Sequence, residues 1–165
     1  MKQDEFFEFL NRFAVQPTPA ILNRHVYLWI GEVDDLLARS PVGLVTKLDL
    51  HTLCQALHKT PLGDIAAGRE LSDAIDEWIS NNFPTERQQN VLLVVGLGLL
   101  YRYHLPLRTY IRLANENIMI IFALSVLDLN FRPIQALPNY VHLSPYAILK
   151  YIALEIPEEA IVKKE

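Results

Sequence analysis

Apolar positions along this chain recur mostly at intervals of three and four residues. From Pro19 to Arg39, Leu22, Val26, Trp29, Val33 and Leu36 share one stripe, widened by Ile30 and Leu37, with Asn23, Glu32, Asp34 and Asp35 off it. From Asp64 to Ser80, Ala67, Leu71, Ala74, Ile75 and Trp78 share one face, and Glu70, Asp73, Asp76 and Glu77 the other. Both patterns predict amphipathic helices. Phe6, Phe9, Leu10 and Phe13 predict an N-terminal helix over 1–16; Leu50, Leu53 and Leu57 predict a shorter one.

The segments Glu86 to His104 and Asn117 to Asn130 are apolar on all sides. A helix of that kind belongs at the centre of a bundle, with amphipathic helices covering it. A strand over Val91–Val95 is the alternative, because a short apolar run suits either state. No alternating partner strand accompanies it, so the pattern predicts an all-α fold. The expected architecture is a compact bundle of six or seven helices in one domain over 1–165, with 86–104 and 117–130 central.

Proline marks the expected boundaries. Thr18-Pro19, Ser40-Pro41, Thr60-Pro61 and Ser144-Pro145 read as helix starts. The hydroxyl accepts an orphan N–H, and Pro has none to lose at the next position. Thr85-Glu86-Arg87-Gln88 fits a capping box. Pro19, Pro41, Pro61, Pro84 and Pro106 are 22, 20, 23 and 22 residues apart, which resembles a helical-hairpin repeat by length alone. Residues 131–141, with Pro133 and Pro138, predict an irregular stretch. Ser144 to about Glu155 predicts a further helix, and 157–165 a short helix or frayed tail.

Composition narrows the class. Of 165 residues, 51% are hydrophobic and 21% charged, enough apolar surface to exclude a disordered chain. A single cysteine, Cys54, excludes an internal disulfide framework. The acidic start Met1-Lys2-Gln3-Asp4-Glu5 lacks the basic region of a signal peptide. The runs Val91–Leu100 and Ile118–Leu127 are ten residues each, against about 20 for a membrane span. A cytoplasmic protein with no membrane partner is the expectation.

Charge is uneven along the chain. Residues 1–86 carry 7 Lys/Arg against 13 Asp/Glu, whereas 87–132 carry 5 Arg against 2 acids. The net charge of −4 argues against a dedicated nucleic-acid binder. Two patches are candidate partner-binding surfaces: the acids Glu70, Asp73, Asp76 and Glu77, and the bases Arg102, Arg108 and Arg112, with His104 between them. Arg108 and Arg112, four apart, point the same way on a helix.

Candidate chemistry is sparse. His51, Cys54 and His58 share a helix side at i, i+3 and i+7, but a structural zinc site needs four ligands and a catalytic one three plus water. Cys54 borders the Leu50-Leu53-Leu57 stripe and reads as a packed hydrophobe. Gly96-x-Gly98 follows an apolar run, yet Tyr101 stands where a dinucleotide fingerprint needs Gly or Ala. His142 and Ser144 lack a nucleophile-elbow context. The pairs Asp34-Asp35 and Asp76-Glu77 need a cleft to become acid–base groups. No catalytic residue, metal ligand or cofactor is predicted.

Two short stretches resemble known families. Leu48-Asp49-Leu50-His51-Thr52-Leu53-Cys54-Gln55-Ala56-Leu57-His58-Lys59-Thr60-Pro61 resembles the closing helices of phage-repressor-type helix-turn-helix domains. That resemblance implies DNA binding by residues 40–63, with a recognition helix at Leu44-Val45-Thr46-Lys47, a short and apolar reader of bases. Thr85-Glu86-Arg87-Gln88-Gln89 with Leu92, Leu93, Gly96, Gly98 and Tyr101 is similar to the first helix of tetratricopeptide-like chaperones of type III secretion. Pro106, and the lack of a small residue at Arg108–Tyr110, depart from that repeat.

The expected function is a non-enzymatic protein-interaction module: an adaptor, chaperone-like or assembly subunit, with a homodimer compatible. The alternatives are a helix-turn-helix transcriptional regulator and a small enzyme using His51, Cys54 or His58.

Overall fold

The structure, a computed structural model, describes residues 1–20, 24–57, 63–83, 88–124 and 156–164. It overturns the all-α bundle. Five strands form one all-parallel sheet: β1 (Val26–Ile30), β2 (Val45–Asp49), β3 (Asn90–Val95), β4 (Ile118–Leu124) and β5 (Ile161–Lys163), in the order β2-β3-β4-β1-β5. The helices are α1 (Gln3–Val15), α2 (Val33–Arg39), α3 (Leu50–Gln55), α4 (Asp64–Asn82), α5 (Leu97–Arg102) and α6 (Arg108–Ile111).

The physical reason lies in the two apolar runs. A parallel strand covered on both faces is apolar at every position, as a central helix would be. All six residues of β3 and all seven of β4 are buried. β1 falls within the stripe from Pro19 to Arg39. Its five consecutive apolar residues, Val26 to Ile30, include a β-branched pair and two aromatics, and they end at Gly31. The last third of that predicted helix, Val33–Arg39, is helical, as α2.

Other boundaries shift as well. Thr18-Pro19 lies in the α1–β1 connection, and Ser40 ends α2 instead of starting a helix. Thr60-Pro61, Thr85–Arg87, residues 131–141, the helix expected from Ser144, and His142 lie outside the described residues. Residues 157–165, expected as a short helix or tail, supply a 3-10 turn at Glu158–Ala160 and strand β5. Of the face predicted for α4, Ala67, Leu71 and Ile75 are buried and Ala74 and Trp78 half-buried, while Gly68 and Ile79, not predicted on it, are buried too.

Both faces of the sheet are covered. Side chains alternate between faces along a strand. Tyr27 and Trp29 point to one face, where α1 packs: Phe6 lies 5.3 Å from Tyr27 and Phe7 5.6 Å from Trp29, centroid to centroid. Leu28 points to the other, in register with Phe122, and Phe122 meets Tyr110 of α6 edge-on at 5.8 Å. α2 joins α1 through Arg39, whose Nη2 lies 2.6 Å from Asp4 Oδ1 and whose guanidinium sits 3.9 Å above the Phe7 ring centre. α3, α4 and α5 gather on the Leu28 side, where Gly68 of α4 backs onto Tyr103 after α5. This follows from the strand order. The path from β1 to β2 runs toward one edge, and the path from β2 through β4 runs back. Right-handed crossovers then put the connecting helices on opposite faces.

Candidate functional site

In an open α/β sheet, ligands bind outside the carboxyl ends of the strands, where the chain's direction reverses. Here that point lies between β1 and β4. The Gly31 N–H donates to the Leu124 carbonyl at 3.4 Å, and the Trp29 Nε1–H to the Glu32 carbonyl at 3.1 Å. The chain then enters α2 through exposed Glu32, Asp34 and Asp35. A phosphate site is built on backbone N–H groups at a helix N-terminus, and carboxylates close to it oppose the anion. The described residues at this edge present three carboxylates, which repel an anion.

The carboxyl ends of β2 and β3 hold the residues singled out for metal or thiol chemistry. Asp49 Oδ1 accepts the N–H groups of His51 at 3.0 Å and Thr52 at 3.3 Å, and so starts α3. The His51 ring packs against Gly96, where a Cβ would lie 3.0 Å from Cδ2. Gly96 has a φ of +95° and caps the start of α5, so it turns the chain at the end of β3, while Gly98 lies buried inside the helix. Cys54 is buried, and burial, reinforced by the Glu70 carboxylate, pushes its thiol above the usual range. Burial thus favours the neutral thiol, which packs as a small hydrophobe, over the nucleophilic thiolate. The Tyr103 hydroxyl is buried with no hydrogen-bond partner among the described residues, and burial raises its phenol to about 12. His58 lies outside the described residues. Among those residues no group of three or more His, Cys, Asp or Glu is placed to hold a metal ion.

The family-like stretches take other forms. The position expected for a recognition helix, residues 44–47, runs into strand β2. Leu92 and Leu93, expected on a repeat helix, lie in β3.

The predicted surface patches are partly assembled. Asp73, Asp76 and Glu77 are exposed on α4, and Glu70 is half-buried. Arg108 and Arg112 are exposed one turn apart, with the Arg112 N–H on the Arg108 carbonyl at 3.0 Å. Arg102 is not part of their face. Its Nη1 and Nη2 lie 3.2 and 3.3 Å from the two carboxylate oxygens of Asp64, and its side chain is only 9% exposed. Arg24 takes its place: it is exposed, and its Nη1 donates to the Ile111 carbonyl at 3.1 Å, at the end of α6. Periodicity could not find Arg24. It stands 87 residues from Ile111 in sequence and arrives there because β1 pairs with β4.

The fold and this edge define an open parallel α/β protein, wound on both faces. No protein-family model, curated protein or solved structure matches the chain. No helix among the described residues is long and apolar enough to cross a membrane.

Proposed function

We propose that this protein acts by binding another protein, as an adaptor or assembly subunit, through its charged outer helix faces. The observation that carries this reading is the arginine surface at α6. Arg24, Arg108 and Arg112 come from two separate stretches of chain and converge on one four-residue helix. The exposed carboxylates of Asp73, Asp76 and Glu77 lie along a different helix, α4. Separated patches of opposite sign steer and orient a charged partner more than they add raw affinity. An acidic protein surface is the partner chemistry that three arginines suit. The described residues after β1 support the same reading, since the carboxylates of Glu32, Asp34 and Asp35 disfavour a phosphate there.

A pull-down of the full chain from its native lysate, with nuclease present, tests this. One stoichiometric protein partner is expected, weakened when salt rises through the range that screens exposed charge. The double variant Arg24→Glu/Arg112→Glu should lose that partner while keeping its thermal midpoint. Equal capture by the variant, or capture abolished by nuclease, would sink the proposal.

A further inference from the structure

We propose that His25 is an acid-sensitive latch: its neutral imidazole clamps the stretch after α1, residues 16–20, to the sheet, and its protonation releases that stretch and the aromatic face of α1. His25 is 1% exposed. Its ring lies in an aromatic box, 5.1 Å from Phe13, 5.6 Å from Phe9 and 6.4 Å from Tyr27 between centroids. Its Nε2 lies 2.6 Å from the Thr18 carbonyl oxygen. A carbonyl only accepts, so Nε2 carries the hydrogen and Nδ1 the lone pair of the neutral ring. Nδ1 is buried and has no hydrogen-bond partner among the described residues. Meanwhile the His25 carbonyl accepts the Ile120 N–H at 2.8 Å. One residue thus ties the turn after α1 to the centre of the sheet.

Adding a proton puts a donor on Nδ1 and a charge on the ring, and nothing that faces it among the described residues helps. From α1 the neighbouring charge is Arg12, whose guanidinium sits 5.9 Å from the Phe9 ring centre. On the strand side, Arg24 is adjacent and is held on the Ile111 carbonyl. Both are cations. Tyr27 is neutral, its phenol raised to about 12 by burial. The packed stretch Ile118–Ile121 of β4 carries no charge, and neither does the connection from Gln16 to Ala20. Exposed Glu8 lies on α1, exposed Glu158 and Glu159 lie on the 3-10 turn beside β1, and the backbone carbonyl of exposed Glu116 shares Gln89 as a donor with the Gln16 carbonyl. None of these carboxylates hydrogen-bonds the ring, whose one polar contact among the described residues is the Thr18 carbonyl. Burial accordingly holds the imidazole below its ordinary range, outweighing the Thr18 hydrogen bond.

The sign follows from linkage. A histidine depressed in the closed form contributes stability above its free value, about 6.5, and loses it as pH falls below that value. For one proton, the opening constant then rises between pH 7.5 and 5.5, by at most about tenfold.

The test is amide exchange of the full-length chain at pH 7.5, 6.5 and 5.5, corrected for intrinsic rates, on wild type and His25→Gln. Glutamine keeps an N–H donor and cannot be charged. Wild type should lose protection, by at most about tenfold, in the amides of α1 and residues 16–20 on acidification, and His25→Gln should stay flat. Equal loss in both would overturn the latch. Should the variant not fold, imidazole NMR on wild type decides: His25 must titrate below the ordinary value, with α1 opening in the same pH window. Titration at the ordinary value with α1 protection unchanged would also overturn it.

Discussion

At the scale of single residues, backbone conformation and space can be separated at two glycines. Gly43 has a φ of +77° with nothing within 4 Å of an added Cβ. Gly96 has a φ of +95°, and an added Cβ would lie 3.0 Å from both Leu50 Cβ and His51 Cδ2. Gly43→Ala therefore incurs only left-handed strain, about 1–2 kcal/mol. Gly96→Ala adds a clash with the start of α3, and we expect about 2–4 kcal/mol in total. Urea midpoints of the two variants check this; equal losses would show that α3 yields freely. His51 and Gly96 also show what the sequence conveyed. The types of residue at the β2 and β3 ends were legible, but their contact was not, because it depends on two strands pairing side by side.

At the scale of elements, helices were legible where one face is wet. α1 and α4 carry exposed acids on one side and buried apolar side chains on the other, so periodicity finds them. β3 and β4 have no wet side and thus carry no period to read. β1 was hidden differently: Val26 and Trp29 fit a helical stripe that continues truly into Val33 and Leu36 of α2. Packing between elements then decides stability. The α1–α2 contact rests on Arg39, with a side chain 45% exposed against 87% for Asp4. A pair that wet is worth about 0.2–1 kcal/mol. Stacking of the guanidinium on Phe7 adds about 0.5–1 kcal/mol, and Asp4 has no share in it. We expect Asp4→Asn to cost within about 0.5 kcal/mol and Arg39→Ala about 1 kcal/mol. High salt should shrink the first loss and leave most of the second. Chemical denaturation at low and high salt measures both, and identical costs would refute the stacking contribution.

At the scale of the whole molecule, strand order is the property least legible in sequence. β1 is interior only because β4 and β5, formed from distant residues, flank it. The two sheet edges are consequently unlike. The outer side of β5 is met by the N-terminal segment: Lys2 bridges Lys163, and the Lys163 N–H donates to the Met1 carbonyl at 3.4 Å. β2 is bonded on one side only among the described residues. The Val91 N–H donates to the Leu44 carbonyl at 3.0 Å, which fixes the phase of that ladder. In a parallel pair, alternate residues turn both backbone groups to one neighbour. Thr46 and Leu48 therefore face β3, and the N–H groups of Val45 and Lys47 face outward. The exposed Lys47 side chain discourages a second strand from pairing there. Residue-resolved hydrogen exchange should show this alternation, with Val45 and Lys47 fast and Thr46 and Leu48 slow. Uniform slow exchange from Val45 to Leu48 would mean that another chain covers β2 in solution. That protein contact would then lie at the sheet edge, away from the arginines of α6, and a single dilution series would separate a second copy of this chain from a different partner.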